Sequence, residues 1–214
     1  MKTKSKILRL MLCAVALVAA SVLGTLAYLT STDEVKNTFT VGQVQIKLDE
    51  AEVDAMGKPV EASNGRVKAN SYKLLPGYTY NKDPMVTVLK GSESSYIKMT
   101  VTFTKAAELD AIFAPTGADL TSIFNGYDST NWIYKGNTED TTANTRTYEF
   151  WYKEAVAAPT ADVALDALFD QIKAPDSLTN SDLNNLKDLK ITVNAYAIQA
   201  DGFATAEAAW AAFN

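Results

Sequence analysis

The feature that most restricts the fold of this chain is a strict alternation of apolar and polar side chains over Ser95–Thr104. The apolar set is Ile97, Met99, Val101 and Phe103, and a lysine and three threonines alternate with it. A repeat of two places each set on its own face of a β-strand, whereas a helix repeats every 3.6 residues. With one face buried and a threonine-rich face in water, this segment predicts a strand in a sandwich of antiparallel sheets.

Other segments show shorter versions of this pattern. We predict strands over Met85–Leu89, Asn131–Tyr134, Arg146–Lys153 and Asp188–Gln199, the last with Leu189, Ile191, Val193, Ala195 and Ala197 on one face. Pro76-Gly77 predicts a turn, and the polar stretch Val53–Ser71 predicts a hairpin and loop.

The apolar alternation within Thr38–Asp49 changes phase at Gly42. The sets on the two sides of this glycine are Phe39 and Val41, then Val44, Ile46 and Leu48. A bulge or sharp bend at Gly42 would place both sets on the same face, and we expect one there.

Three segments have helical spacing instead. Asp162–Lys173 carries apolar side chains at i, i+3, i+4 and i+7, and Lys105–Ala114 has a shorter stripe of the same kind. Ala206–Phe213 follows Thr205, which is a good N-cap residue. Together the patterns predict a mainly β fold, an antiparallel β-sandwich with short helical insertions and a C-terminal helix.

Residues 1–27 have the composition of a cleavable export signal, with four basic residues followed by an uncharged, mostly apolar run. Thr25 and Ala27 lie at the −3 and −1 positions of a cut before Tyr28, whereas a cut after Tyr28 would put a bulky residue where a small one is needed. The alternative is an uncleaved anchor, since Leu10–Leu29 is 20 residues long and just able to span a membrane. In both cases we expect the residues beyond 30 to lie outside.

Removal of these 27 residues leaves 187 of the 214, enough for one sizeable core. Cys13, the single cysteine, lies in the leader, where Leu12 before it argues against a lipidation site. The mature chain therefore has neither disulfides nor thiolate metal sites. The leader also takes four of the 20 basic residues and none of the 25 acidic ones, which leaves 16 against 25. This acidity argues against nucleic acid or an anionic membrane surface as partner.

The chain contains no histidine, which removes the usual zinc ligands, the histidine-dependent nucleophiles and the commonest general base. No phosphate-binding loop, dinucleotide fingerprint or EF-hand pattern is present. The carboxylate pairs Asp49/Glu50 and Glu139/Asp140 resemble the two acids of a glycosidase, but acids flanking turns are usually solvated loop charges. We expect no catalytic residue, no bound metal and no cofactor, although a calcium site among the loop acids stays open.

Two aromatic clusters, Trp132-Ile133-Tyr134 and Phe150-Trp151-Tyr152, have the composition of a sugar-binding platform. The same alternation arises when rings pack in the core and on the sheet face. We favour packing, because aromatic side chains bury large areas in β-rich cores.

The junction between leader and domain reads GTLAYLTSTDEVKNTFTVGQVQIKLDE over residues 24–50. Its marks are Gly24-Thr25, Ala27, a large apolar or aromatic pair, Asn37-Thr38-Phe39, and Gly42 before an alternating strand. A looser second block contains Leu75-Pro76-Gly77, Val86-Thr87-Val88, Gly91 and Tyr96-Ile97-Lys98. The two blocks resemble the camelysin/TasA family of secreted Gram-positive proteins, and the rest of the chain carries no motif that matches.

The resemblance implies a jelly-roll-like sandwich, a leader removed by a dedicated signal peptidase, and a surface or biofilm-matrix protein that polymerises into fibres. It further implies that the segment after the cut, about Tyr28–Phe39, inserts as a strand into the next subunit. The apolar contacts of this donor would be Leu29, Val35 and Phe39, and Gly42 would bend the chain into the domain. The partners are then further copies of the chain and accessory matrix proteins.

The family also carries a metallopeptidase label from camelysin. Without histidine or a mature cysteine, a zinc site in this chain would need carboxylates alone, which suit harder cations such as calcium. We therefore expect no protease activity.

We therefore expect the chain to consist of a leader over residues 1–27, an extended segment over 28–38 and a β-sandwich domain over 39–214. The leading hypothesis is a secreted structural protein of a cell-surface or matrix fibre. The alternative is a monomeric extracellular adhesin or carbohydrate-binding sandwich, and a camelysin-like peptidase ranks third.

Overall fold

The computed structural model describes residues 42–60, 65–113 and 124–213. In these ranges the strands are β1 (Ile46–Ala51), β2 (Arg66–Val67), β3 (Thr79–Asn81), β4 (Met85–Val88), β5 (Ser95–Thr104), β6 (Phe124–Asn125), β7 (Trp132–Asp140), β8 (Thr145–Tyr152), β9 (Val163–Ala164), β10 (Gln171–Lys173) and β11 (Ile191–Gln199). The helices are α1 (Ala106–Phe113), α2 (Asn180–Asn185) and α3 (Ala206–Ala212).

The described strands form three sheets in which every pairing is antiparallel. Their orders are β2-β1-β4-β9, β11-β5-β8-β7 and the small sheet β3-β10-β6. The first two enclose a core in which Val86 and Val88 of β4 join Met99 of β5 and Phe150 of β8, all fully buried. The predicted antiparallel β-sandwich with short helices is confirmed.

Strand β5 is the centre of the sandwich and has the predicted bounds. Its odd-numbered side chains are buried and its even-numbered ones are partly exposed in strict alternation, with Ile97, Met99 and Val101 at 0% exposure. Strand β11 begins at Ile191 rather than at Asp188, because Asp188 has φ +64° and this left-handed conformation interrupts an extended chain. Strand β7 continues beyond the predicted Tyr134 as far as Asp140.

The prediction of a helix over Asp162–Lys173 is wrong. This segment begins with β9 and ends with β10, and its backbone amides bond to neighbouring chain instead of to the preceding turn. Leu165 N donates to Val86 O at 2.8 Å, Leu168 N to Pro84 O at 3.1 Å, and Asp170 N to Asn125 O at 3.0 Å. The apolar residues with helical spacing do enter the core, since Leu168 and Phe169 are fully buried.

The other two predicted helices are confirmed as α1 and α3. Thr205 caps α3, and its side chain accepts a hydrogen bond from Ala208 N at 3.2 Å. The short helix α2 was not predicted, although Thr179 and Asp182 form a capping box at its start. Within the described ranges, no helix has the length and apolarity needed to cross a membrane.

The chain enters the described sandwich at Gly42, which is exposed, and β1 begins four residues later. Val44, Ile46 and Leu48 are half-buried, in agreement with their shared parity. Phe39 and Val41 lie outside the described residues, so the predicted bend at Gly42 stays a prediction. Pro76-Gly77 forms the predicted turn, where Gly77 has φ +70°.

Candidate functional site

A cavity of about 940 Å³ opens on the side of the sandwich where β1 and β11 lie close together. We call it the open-side groove. Its apolar lining includes Leu48 of β1, Phe103 of β5, Leu109 of α1, Ile172 of β10, and Ile191 and Val193 of β11. These residues come from both main sheets, the small sheet and a helix, so the groove reaches from the strand edges towards the core.

One edge of the groove is formed by β11, which is the terminal strand of its sheet. Thr104 N donates to Lys190 O at 3.0 Å, and Ala200 N donates to Ser94 O at 2.7 Å. Backbone hydrogen bonding alternates along an antiparallel pair of strands. Because Lys190 and Ala200 both bond the β5 side, the even-numbered residues of β11 that lie between these two positions also bond β5. The odd-numbered residues of β11 therefore direct their N–H and C=O groups away from β5. No other described strand pairs with this edge.

The side chains of the same odd-numbered residues reach the core. Ile191, Val193, Ala195 and Ala197 pack against the main cluster but stay half-exposed. Nine residues of β11 run in register with β5 without a bulge, a proline or a charged side chain. A long regular edge of this kind is a template for strand addition.

The facing edge belongs to β1. Ile46–Asp49 pair with β4 on one side, and β2 covers only Glu50 and Ala51 on the other. The Leu48 carbonyl points to the open side, where Lys68 Nζ donates to it at 2.6 Å. A flexible lysine thus covers one exposed carbonyl of this edge.

Buried charges hold this wall of the groove in place. Asp49 is 4% exposed and accepts hydrogen bonds from Arg66 and from Lys47, whose Nζ lies 2.6 Å away. Arg66 also donates to Asp83 Oδ2 at 2.9 Å. Burial alone would raise the pKa of Asp49, but the hydrogen bonds from Lys47 and Arg66 outweigh it and hold the pKa below its usual value. Arg66 therefore fastens β2 to β1 and to the residues before β4.

A second ion-paired group also lines the groove. Arg146 of β8 bonds both carboxylate oxygens of Asp110 on α1, with Nη2 to Oδ2 at 2.6 Å. The same nitrogen donates to Glu139 of β7 at 2.8 Å. The bond to Asp110 raises the pKa of Arg146, with burial opposing it and Glu139 adding to it. This bidentate pair fixes α1 and its groove-lining Leu109 against the sheet.

The acidic pairs identified in the sequence have structural partners. Asp49 and Glu50 are buried, so the expectation that they are solvated loop charges is wrong; Glu50 bonds Lys82. Glu139 bonds Arg146, and Asp140 Oδ1 accepts from two backbone amides of the following turn at 2.9 Å. Among residues 42–60, 65–113 and 124–213, no three side chains of the usual metal-binding types cluster together.

The aromatic clusters follow the packing interpretation. Trp132 and Phe150 are core residues at 1% and 0% exposure, and Tyr134 and Tyr152 pack against that core. Trp151 points to the other face of the sheet, where its ring lies 6.2 Å from that of Trp210 on α3.

The predicted processing residues Thr25, Ala27 and Tyr28 lie outside the described residues, as do Leu29, Val35 and Phe39 of the proposed donor. Gly42 is described and exposed. No single segment of the sequence predicts the open-side groove, because its lining is scattered over the chain from β1 to β11. The long uncharged alternation of β11 was a usable signal for an open edge.

Comparison of the chain with protein-family models, with curated proteins and with solved structures finds no match.

Proposed function

We propose that this protein is a secreted structural protein, a subunit of a cell-surface or biofilm-matrix fibre. In this proposal the segment Tyr28–Phe39 of one copy adds as a strand to β11 of the next and covers its open-side groove. The observation that carries the proposal is a nine-residue strand edge, free of charge and bulge, beside an apolar groove. An extended segment gains affinity from main-chain bonds at such an edge and specificity from alternate side chains.

The donor segment has suitable length and parity. Tyr28–Phe39 is longer than β11, which leaves residues to reach from one subunit to the next. Leu29, Val35 and Phe39 are all odd-numbered, so in a strand they lie on one face and can enter the groove together. Each buried apolar side chain contributes about 1.5–3 kcal/mol. Association costs roughly 4–15 kcal/mol, so the main-chain bonds to β11 are needed as well.

The geometry of this contact favours filaments. The donor lies at one end of the mature chain and the acceptor is a different surface, so the contact is heterologous and does not close on itself. A chain of subunits then grows at both ends until the supply of protein is exhausted.

The direct test compares the mature protein, beginning at the residue found by N-terminal sequencing, with a variant that lacks Tyr28–Val35. We expect filaments of the first by negative-stain microscopy and a folded monomer of the second, with little change in melting temperature. Leu29→Ser with Val35→Ser should also stop polymerisation, because both apolar contacts are removed. Thr30→Ser with Glu34→Ser alters the opposite face of the donor and is the matched control, which should polymerise normally.

Filaments from the truncated protein would contradict the donor assignment. An intact mature protein that stays monomeric at high concentration would contradict the fibre function, and the monomeric adhesin or carbohydrate-binding sandwich would then take its place.

A further inference from the structure

Three polar side chains meet beside the open-side groove at the ends of three strands. Glu50 lies in β1, Asn70 lies three residues after β2, and Lys82 directly follows β3. Glu50 and Lys82 are buried, at 6% and 8% exposure, and Asn70 is half-buried. We call this group the Lys-Glu-Asn triad.

The carboxylate of Glu50 joins the other two side chains. Its Oε2 accepts from Lys82 Nζ, and its Oε1 accepts from Asn70 Nδ2 at 3.0 Å. The amine and the carboxamide therefore bind the two oxygens of a single carboxylate, which keeps them adjacent.

The carboxamide of Asn70 is fixed by the backbone on both of its ends. Its Nδ2 also donates to Ala51 O at 2.9 Å, and its Oδ1 accepts from Val53 N at 3.0 Å. The bond to Oδ1 polarises the carbonyl and lies where negative charge develops if a nucleophile attacks Cγ.

We propose that Lys82 and Asn70 react within the folded protein to form an intramolecular amide bond between Nζ and Cγ, with Glu50 transferring the protons. The proposal does not depend on the fibre function, since it concerns contacts inside one subunit. The Lys-Glu-Asn triad contains a nucleophile, a proton carrier and an amide carbonyl, which are the three groups that this reaction needs.

The reaction balances without an oxidant or a co-reactant. A proton passes from the Lys82 ammonium to Glu50, which leaves a neutral amine and a carboxylic acid. The Nζ lone pair attacks Asn70 Cγ, and the N–H of Val53 stabilises the charge on Oδ1. Glu50 then protonates Nδ2 and takes a proton from Nζ, and the Cγ–Nδ2 bond breaks. One ammonia molecule leaves, the amide remains, and Glu50 carries the proton that the ammonium brought.

The surroundings favour this chemistry. Burial penalises an ammonium and a carboxylate, and a proton transfer between them removes both charges. The aromatic rings of Tyr72 and Tyr80 pack edge to face at 5.6 Å in the same region. Burial and, after it, the nearby Glu50 raise the pKa of Tyr72, so this phenol stays neutral and does not compete as a base. Preorganised reacting groups in such a site replace a bimolecular step by an intramolecular one.

The test is the mass of the purified full-length protein after folding, followed by a tryptic map. We expect a mass lower than that of the sequence by one ammonia molecule, and a branched peptide that joins Lys82 to Asn70. Lys82→Arg and Asn70→Ala should each restore the full mass. Glu50→Gln keeps an acceptor but cannot take up a proton, so the linked fraction should fall at least tenfold.

Lys68→Arg is the matched control, because Lys68 lies beside the same strand but bonds the Leu48 carbonyl instead of Glu50. This variant should show the same loss of ammonia as the unaltered protein. Full mass in the unaltered protein, with Lys82 and Asn70 in separate peptides after prolonged incubation, would overturn the proposal whether or not the variants fold. Complete linkage in folded Glu50→Gln would overturn the role given to Glu50.

Discussion

The two outer strands of one sheet, β11 and β7, differ in their charge and in the regularity of their pairing. Both are nine residues long, and both flank the central pair β5 and β8. Strand β11 pairs continuously with β5 and contains no charged residue. Strand β7 has a register shift between Tyr134 and Gly136, where Gly136 has φ +126°, and it carries Lys135, Glu139 and Asp140.

The features of β7 are those that prevent a sheet edge from adding another strand. A bulge twists the edge, and charged side chains would be desolvated by a neighbouring chain. Lys135 is also engaged elsewhere, with Nζ 4.1 Å from the centre of the Trp151 ring. If the sheet adds a strand as proposed, the comparison favours the β11 side, because β7 carries the bulge and the charged residues.

The largest effect is expected from a change beneath both edges. Val101 lies at the centre of β5, is fully buried, and is paired with Val193 on one side and Tyr148 on the other. Val101→Asp places an unpaired charge in the core, which should cost more than about 4 kcal/mol and prevent folding. Thr102→Asp, on the opposite face of the same strand, is the control and should fold. Secretion and melting temperature measure both, and an unchanged melting temperature for Val101→Asp would contradict the core assignment.

A pair of proline variants separates the two edges. Ala195 of β11 and Asn137 of β7 both direct their backbone N–H away from the sheet, as the pairing alternation requires. Ala195→Pro removes a donor from the open edge and should abolish filament growth, while Asn137→Pro should leave it intact. Each change should cost roughly 1–3 kcal/mol of stability.

Microscopy and the melting temperature of each variant distinguish loss of assembly from loss of folding. Ala195→Ser keeps the N–H group and should still polymerise. If Ala195→Pro forms normal filaments and Asn137→Pro does not, the assignment of the open edge is reversed.

The periodicity of apolar residues predicted the long regular strands correctly, but it failed for a segment with irregular backbone. Over Ser95–Thr104 the alternation is long, with one face in the core and the other partly exposed to solvent, so the predicted strand bounds are correct. In Asp162–Lys173 the spacing of Leu165, Leu168 and Phe169 also fits a helix, because an irregular segment that dips repeatedly into a core can produce the same intervals. The hydrogen bonds to Val86 and Pro84 that decide the structure come from residues distant in sequence.

The site was less predictable than the fold. The burial of Asp49 and Glu50 depends on Arg66 and Lys82, which lie in other strands or loops. A sequence shows that partners of opposite charge exist, but their pairing follows from the topology. The sequence shows that β11 contains no charged residue, but only the order of strands in the sheet shows that β11 is an outer strand.

The smallest effect concerns the two walls of the groove. Strand β11 contains no carboxylate or amine, whereas the facing β1 wall contains Asp49. Burial would raise the pKa of Asp49, but Lys47 and Arg66 lower it.

A carboxyl with a lowered pKa stabilises the fold above its unfolded pKa of about 3.9, and this contribution is lost as the pH falls through the folded value. Asp49→Asn should therefore cost about 1.5–3 kcal/mol near neutral pH, the usual range for a hydrogen bond to a charged group. The difference from the unaltered protein should begin to shrink below the unfolded pKa of about 3.9, because the unfolded chain takes up the proton first, and it should go on shrinking until folded Asp49 is protonated as well. Urea unfolding at pH 7 and at pH 3 measures it, and a difference that is equal at both values would show that the charge of Asp49 does not hold this wall.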